Sequence, residues 1–329
     1  MSSFTRRRIM GALAGSVALA ANGWRTARAQ TYSTKPVRWI VPYPAGGGSD
    51  FLARTVGAQL EKQLGQPIVI ENRPGAATMI GAEAVAKSAP DGYTLLTADN
   101  GTLVFNSALY KKMPYDAVKD FAPIGMMARF PLILVANPAT GYKTAADFVR
   151  AAKAQPGKLS YASVGAGSPH HLAFELVKQQ SGTFVVHIPY RGAAPAVNDV
   201  LGNQVPVMII DTAVGLPHIR SGKLVALGVL SKQRLAALPN VLTLEEQGIS
   251  GTEVYAWQGM VVPAATPLPI RTRLTAELMK AINTPDVSRK LQEFGLEPFA
   301  SSAEQMAEFV RVETARWHAL IKQRGISLE

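Results

Sequence analysis

With 329 residues, 47% of them hydrophobic and 17% charged, the chain is longer than one hydrophobic core usually supports and unlike a disordered segment, so two domains are expected. Its 34 basic and 23 acidic residues give a formal charge of +11 without a dense Lys/Arg stripe, which argues against a nucleic-acid partner. The absence of cysteine excludes disulfides, thiolate nucleophiles and Cys-based metal sites.

The N-terminus reads as an export signal. Arg6-Arg7-Arg8 precedes an apolar run over 9–21, and Ala27-Arg28-Ala29 supplies a small-x-small cleavage pattern, so cleavage is expected after Ala29. Thr5 to Met10 also resembles a twin-arginine signal, and a general-secretory signal remains the alternative. The run is too short to span a bilayer, and no other stretch of about 18 apolar residues follows. There is no lipobox cysteine. A soluble, unanchored periplasmic protein is therefore expected. The leader carries five of the 34 basic residues and no acidic ones, which leaves 29 against 23, a net +6 that suits an anionic small ligand.

A strand over 37–41 runs into Pro42-Tyr43-Pro44-Ala45-Gly46-Gly47-Gly48-Ser49-Asp50 and then into a helix over 49–64. Leu52, Val56, Leu60 and Leu64 recur at four-residue spacing on this helix, and Gly65 stops it. Glycines let the backbone approach a ligand closely, and a helix start offers unpaired N–H groups at the positive end of a macrodipole. Strand, glycine turn and helix thus make an anion cradle, or else a tight turn that needs glycine for geometry alone. A strand over 68–70, a helix over 80–87, a turn at Pro90-Asp91-Gly92 and a strand over 95–98 follow.

After Phe121 the pattern resumes with a strand over 132–135, a helix over 144–154 capped by Thr144, and a strand over 159–162. This last strand enters a second cradle, Gly165-Ala166-Gly167-Ser168-Pro169, and a helix over 170–179. A strand over 184–188, a short helix over 195–201, a strand over 205–210 ending in Asp211, and a strand over 224–230 come next. Helices over 269–281 and 302–323 close the chain. In the latter, Ser302 and Gln305 form a capping box, and Met306, Phe309, Val310, Trp317, Leu320 and Ile321 form a core-facing stripe. The alternation predicts an α/β protein with parallel sheet covered by helices on both faces.

Several segments in order resemble one family over nearly the whole chain from Lys35 to about Leu328. They are residues 41–50, Glu71-Asn72-Arg73-Pro74-Gly75-Ala76, Pro90-Asp91-Gly92-Tyr93-Thr94-Leu95, Pro114-Tyr115-Asp116 with Asp120-Phe121, and Tyr161-Ala162-Ser163 leading to residues 165–168 and His171-Leu172. Pro189-Tyr190-Arg191-Gly192, and Leu238-Pro239-Asn240-Val241 with Thr243 and Glu246-Gln247-Gly248, complete the series. The chain resembles the Bug (TctC-like) extracytoplasmic solute receptors of the tripartite tricarboxylate transporters. The resemblance implies a two-lobed periplasmic-binding-protein (Venus flytrap) fold, each lobe a sheet flanked by helices. One lobe would combine 30–130 with 255–329, and 131–254 would form the other. It also implies an organic carboxylate bound in the interlobe cleft and delivered to membrane permease subunits, with no chemistry and no cofactor. The chain departs from the family at Ala77-Thr78-Met79, where two small residues or glycines and an Asn are usual, and at Ile210, where Phe is common.

The resemblance carries the candidate ligand-binding residues over to Tyr43, Gly46, Gly47, Gly48, Ser49, Asp50, Thr78, Asn100, Gly165, Ala166, Gly167, Ser168, Arg191 and Asp211. The glycine amides and the Ser49 hydroxyl would donate to a carboxylate. Asp50 caps the helix, complements its dipole or orients water, with capping preferred. Ser168 followed by Pro169 is helix-start grammar by itself, and ligand binding would be additional. Arg191 pairs with a carboxylate or braces its own loop. Asp211, at a strand end, would select a ligand with a donor distal to its carboxylate. Asp99 and Asn100 occupy another strand end. Adjacent His170 and His171 do not share a helix face, so no metal is expected, and His171 is read as packed or hydrogen-bonded. Two other functions are weighed. One is a secreted serine hydrolase using Ser168 or Ser49, although Gly-Ala-Gly-Ser-Pro is not a nucleophile elbow. The other is a ligand-presenting partner of a periplasmic sensor.

Overall fold

The computed structural model describes residues 34–328, so the expected export signal lies outside the described residues. The first elements are β1 (Val37–Val41), α1 (Gly48–Leu64), β2 (Ile68–Asn72), α2 (Met79–Ala86), β3 (Thr94–Asp99), a π-helical turn (Gly101–Phe105), α3 (Asn106–Leu109) and β4 (Phe121–Ala136). Then come α4 (Ala145–Ala154), β5 (Ser160–Ser163), α5 (Pro169–Ser181), β6 (Val186–Pro189), α6 (Ala193–Leu201), β7 (Val207–Asp211), α7 (Thr212–Arg220) and β8 (Val225–Val229). The chain closes with β9 (Tyr255–Pro263), α8 (Leu268–Ile282), α9 (Pro285–Glu293), the short β10 (Glu297–Pro298) and α10 (Ala303–Arg324).

Two sheets share β4. In the first, β2, β1 and β3 are parallel, and β9 joins β3 to β4 by antiparallel pairing. In the second, β6, β5 and β7 are parallel, and β7 and β8 pair antiparallel with β4. The purely parallel sheet expected from the alternation is therefore corrected to two parallel trios joined by antiparallel strands. The expected strand over 132–135 is the end of a 16-residue strand. Its first part is interrupted by Pro123, Gly125 and Pro131, residues that read as strand breakers. Pro123 sits at a register shift, where a missing N–H costs little, and Pro131 is the last residue paired with β9 before Leu132 begins pairing with β7. In α7, Pro217 hid a helix in the same way.

Alternation along the shared strand decides the core. Leu132, Leu134 and Ala136 enter one apolar cluster with Val207 and Ile209 of β7, whereas Ile133 and Val135 enter another with Met208 and Ile210. The second sheet is thus covered on both faces. The capping box of α10 is present between Ser302 and Gln305, and Met306, Trp317, Leu320 and Ile321 are buried along its stripe. Thr144 and Asp147 form a second capping box at α4.

A buried ion cluster ties α10 to α5. Glu175, 5% exposed, accepts the Tyr161 hydroxyl at 2.8 Å, Lys178 Nζ, and Arg324 Nε at 3.0 Å. Burial alone raises the Glu175 carboxyl, but the hydrogen bonds from Lys178 and Tyr161 and the Lys178 charge outweigh it and hold it below the ordinary value. Removing the carboxylate strands the buried Lys178 ammonium. Glu175→Ala is expected to destabilise the fold by about 3–5 kcal/mol, measured by urea denaturation. A loss under about 1 kcal/mol would show the cluster to be dispensable.

Candidate functional site

The C-terminal ends of β1, β2 and β3 lie at one edge of the first sheet and release residues 42–47, 73–78 and 100 onward. The C-terminal ends of β5, β6 and β7 release residues 164–168, 190–192 and Asp211 from the second. Carboxyl ends of parallel strands are where ligands bind in open α/β sheets. Both edges converge on the middle of β4. Asp99 pairs with Gln258, and Gln258 with Ala128, while Asp211 pairs with Leu132. Between them, Phe130 touches Gly48, where an added Cβ would sit 2.9 Å from its ring. The fold thus brings the first loop and Asp211 to either side of a few β4 residues.

In the first loop, Gly47 is the N-cap of α1 with extended backbone and no side-chain cap. Asp50 does not cap in the expected sense. From the third helical position it reaches back to accept the Gly46 N–H at 2.9 Å, and it also receives Arg54 Nε at 2.9 Å and Asn72 Nδ2 at 3.0 Å. Burial raises the Asp50 carboxyl, but these bonds prevail and hold it below the ordinary value. Gly46, with φ +83°, therefore spends its amide inside the loop. The amides of Gly47, Gly48 and Ser49 have no partner among the described residues, as the start of a helix dictates. Ser49 Oγ accepts from Gln258 Nε2, so its own proton remains available to donate. Gln258, not anticipated from sequence, is 5% exposed and has a buried Oε1 without a partner among the described residues.

Behind this loop is a directed hydrogen-bond chain. Asp99, 4% exposed, accepts the Tyr43 hydroxyl and, at 2.8 Å each, the Thr102 N–H and hydroxyl. Since Thr102 gives its proton to Asp99, the Thr78 hydroxyl at 2.9 Å must be the donor to Thr102. Burial, then the Asp99 charge and hydrogen bond, push the Tyr43 hydroxyl well above the ordinary tyrosine value. Asn100 is turned toward β9, where its side chain donates to Tyr255 O at 3.3 Å and accepts the Trp257 N–H at 2.9 Å. Ala76, Ala77 and Thr78 all adopt positive φ (46°, 48° and 74°). Asn106, donating to Ala77 O at 2.8 Å, helps hold this left-handed turn.

The second loop is largely self-satisfied. Ser168 caps α5 by accepting the His171 N–H at 3.2 Å and donates to Gly165 O at 2.7 Å. The Gly165 N–H goes to Ser163 Oγ, and the Gly167 N–H to His171 Nδ1 at 3.0 Å. Gly167 has φ +75°, a left-handed conformation that favours glycine, and a Cβ there would press on the side-chain ends of Leu109 and Leu328 at 2.8 and 2.9 Å. The amides of Ala166 and His170 have no internal partner among the described residues. Arg191, in the adjacent turn, is exposed and has no ion-pair partner among the described residues. Asp211 caps α7 by accepting the Val214 N–H at 3.1 Å, and its Oδ2 lies 3.4 Å from His170 Nε2. His171 is packed, as expected, stacking on His187 at 3.9 Å. Burial lowers His171 to about 4, and burial with the neighbouring His171 lowers His187 to about 3.

The receptor-family model for the tripartite tricarboxylate transporter family matches residues 52–326. The chain belongs to this family. Protein BugT of Bordetella pertussis is 35% identical over 302 residues, covering 92% of this chain and 93% of that protein. The solved structure of R. palustris Rpa4515 with adipate has a TM-score of 0.83 at 33% identity, covering 90% of this chain and all of that one. The structure of the periplasmic binding protein BugD has a TM-score of 0.79 at 33% identity, covering 90% and 99% of the two chains. This TctC-family receptor has the two-lobed α/β fold of periplasmic binding proteins.

A left-handed conformation costs a non-glycine residue roughly 1–2 kcal/mol, partly offset by the extra unfolded-state entropy of glycine. Ala77→Gly should therefore stabilise the receptor by about 0.5–1 kcal/mol in urea denaturation, and a destabilisation would show that the turn is unstrained. The low His171 value contributes stability that is fully present above the ordinary histidine range and is lost as pH falls from about 6.5 toward about 4. At pH 5 the loss is about 2 kcal/mol. Thermal unfolding at pH 7 and pH 5 should show it together with a comparable loss from the buried His187, so His171→Asn should reduce the dependence without abolishing it. Carboxylates such as Glu175 act only at lower pH.

Proposed function

We propose that this protein is a periplasmic receptor that captures an organic carboxylate between its lobes and presents it to the permease subunits of a tripartite tricarboxylate-type transporter, leaving it chemically unchanged. The observation that carries this reading is the unpaired set of Gly47, Gly48 and Ser49 amides at the start of α1, with the Ser49 proton beside them, facing the Asp211 end of the second sheet across β4. Charge-assisted bonds to a carboxylate contribute about 1.5–3 kcal/mol each. Adipate in the related R. palustris structure supports a carboxylate as the ligand class.

The remaining candidate residues take graded roles in this reading. Gly47, Gly48 and Ser49 hold the carboxylate, and Ala166 and Arg191 approach it from the second lobe. Tyr43, Gly46, Asp50, Gly165, Gly167 and Ser168 fix the two loops, and Thr78 and Asn100 shape the floor. The lobe boundaries are proposed near residues 131 and 254, where β4 changes partners and before β9 begins. Lobe closure about those connections would create the form that a permease recognises. Export with cleavage after Ala29 completes the proposal. Catalysis is disfavoured because the Ser168 hydroxyl is committed to Gly165 O, and Ser163, which does meet His187 at 2.7 Å, is fully buried.

The test is a thermal-shift and calorimetric screen of the exported protein against organic acids, amino acids and neutral sugars. A bound acid at 100 times its Kd should add about 2.7 kcal/mol of stability, and conversion to the amide or ester should abolish it. Gly48→Ala, which forces a Cβ against Phe130, should weaken that acid by tenfold or more without unfolding the protein. Response to neutral compounds alone would overturn the reading.

A further inference from the structure

One buried side chain acts on the first loop from behind. Gln258 is 5% exposed, and its Oε1 is enclosed with no partner among the described residues. Its Nε2 donates to Ser49 Oγ. The strand fixes its position. The Gln258 backbone pairs with Asp99 of β3 on one side and Ala128 of β4 on the other, and the preceding Trp257 N–H is held by Asn100 Oδ1 at 2.9 Å. Packing alone would be served by an apolar residue, as at the buried Trp257, Met260 and Val261 of the same strand. An amide is costly to bury with its acceptor unmet, so the use of this residue lies in its donor.

An amide can meet a hydroxyl with either end. Had Oε1 faced Ser49, it would consume the Ser49 proton. With Nε2 there, the Ser49 oxygen accepts and its proton is turned elsewhere, beside the unpaired amides of Gly47 and Gly48. An ionised carboxylate only accepts, so it needs Ser49 in this donating state. Hydrogen bonds in series also polarise one another, so donation by Gln258 strengthens the bond that Ser49 makes to an anion. Gln258 is too enclosed to hold a ligand itself, and its effect passes through Ser49.

Resting on the receptor reading, we propose that Gln258 is a positioning residue that commits the Ser49 hydroxyl to donating, and thereby sets the first loop to bind an ionised carboxylate. Asn100 contributes indirectly, by fixing the stretch of β9 that carries Gln258.

A double-mutant cycle on the exported protein tests this, with Kd read by calorimetry. The probe is the tightest-binding of acetate, lactate, succinate, malate, adipate and citrate. Gln258→Met removes the donor at similar size, and Gln258→Glu replaces it with a group that takes the Ser49 proton. With Ser49 present, Gln258→Met should weaken the probe by about three- to tenfold, and Gln258→Glu by more. In the Ser49→Ala background, Gln258→Met should change Kd by less than about twofold. Gln258→Glu should then cost less than it does with Ser49 present, because only its charge still opposes the anion. A packing role would give the same factors in both backgrounds. Should Gln258→Met lack a cooperative melting transition, the Gln258→Glu cycle decides by the same comparison. Equal factors in both backgrounds, or no loss in either variant with Ser49 present, overturn the role of Gln258 and leave the receptor reading intact. Failure of every acid to bind the unaltered protein overturns both.

Discussion

Everything at the site depends on one strand being hydrogen-bonded into two sheets. Backbone N–H and C=O groups must find partners, and β4 finds them in β9 along residues 121–131 and in β7 and β8 along 132–136. Pro131 has no N–H to lose at the change of partner. Because the two parallel trios hang from this strand with their carboxyl ends toward its middle, loops separated by over a hundred residues become neighbours. The cleft is a consequence of register. Asp99 is aligned with Gln258 and Ala128, and Asp211 with Leu132.

Three aspartates lie at the proposed anion site, and the charge of each is met in a distinct way. Asp50 is paired with Arg54 and bonded by Asn72 and the Gly46 N–H. Asp99 is wrapped by the Tyr43 hydroxyl and the Thr102 N–H and hydroxyl. Asp211 sits at the positive end of α7 and opposite His170. The amides of Gly47, Gly48 and Ser49 are thereby left without a partner among the described residues. The same economy explains why the second loop, although glycine-rich, has little to give: its serine hydroxyl and three of its amides, those of Gly165, Gly167 and Ser168, already serve its own turn.

Strain is concentrated beside this machinery. Three consecutive non-glycine residues, Ala76 to Thr78, are left-handed, and they persist because Asn106, Thr102 and the start of α2 hold them. The adjoining π-helical turn over Gly101–Phe105 carries Thr102 into the same hydrogen-bond chain. Strained turns and π-turns recur at ligand sites, where placing a side chain matters more than local stability. At Thr78 the turn carries a hydroxyl that donates into the Thr102–Asp99 hydrogen-bond chain.

Local chemistry was legible in the sequence. Glycines at helix ends, Ser168 and Thr144 at caps, the capping box of α10 and its apolar stripe each act over a few residues, and their spacing names them. The ordered family motifs were legible too, because they record backbone requirements such as the positive φ of Gly46 and Gly167. What the sequence could not supply was anything set by a distant partner. The length of β4 was hidden by prolines that only a change of partner or a bulge tolerates. Asp50 read as a cap, yet its bonds run to Asn72 and Arg54. Gln258 gave no signal, because a glutamine in a strand becomes notable only when tertiary packing buries its Oε1 with no partner among the described residues. The sequence determined the elements, the export signal expected at the N-terminus and the two cradles, since these depend on neighbours along the chain. The tertiary structure decided which groups are spent and which stay free for a ligand, because hydrogen-bond satisfaction is settled across the fold.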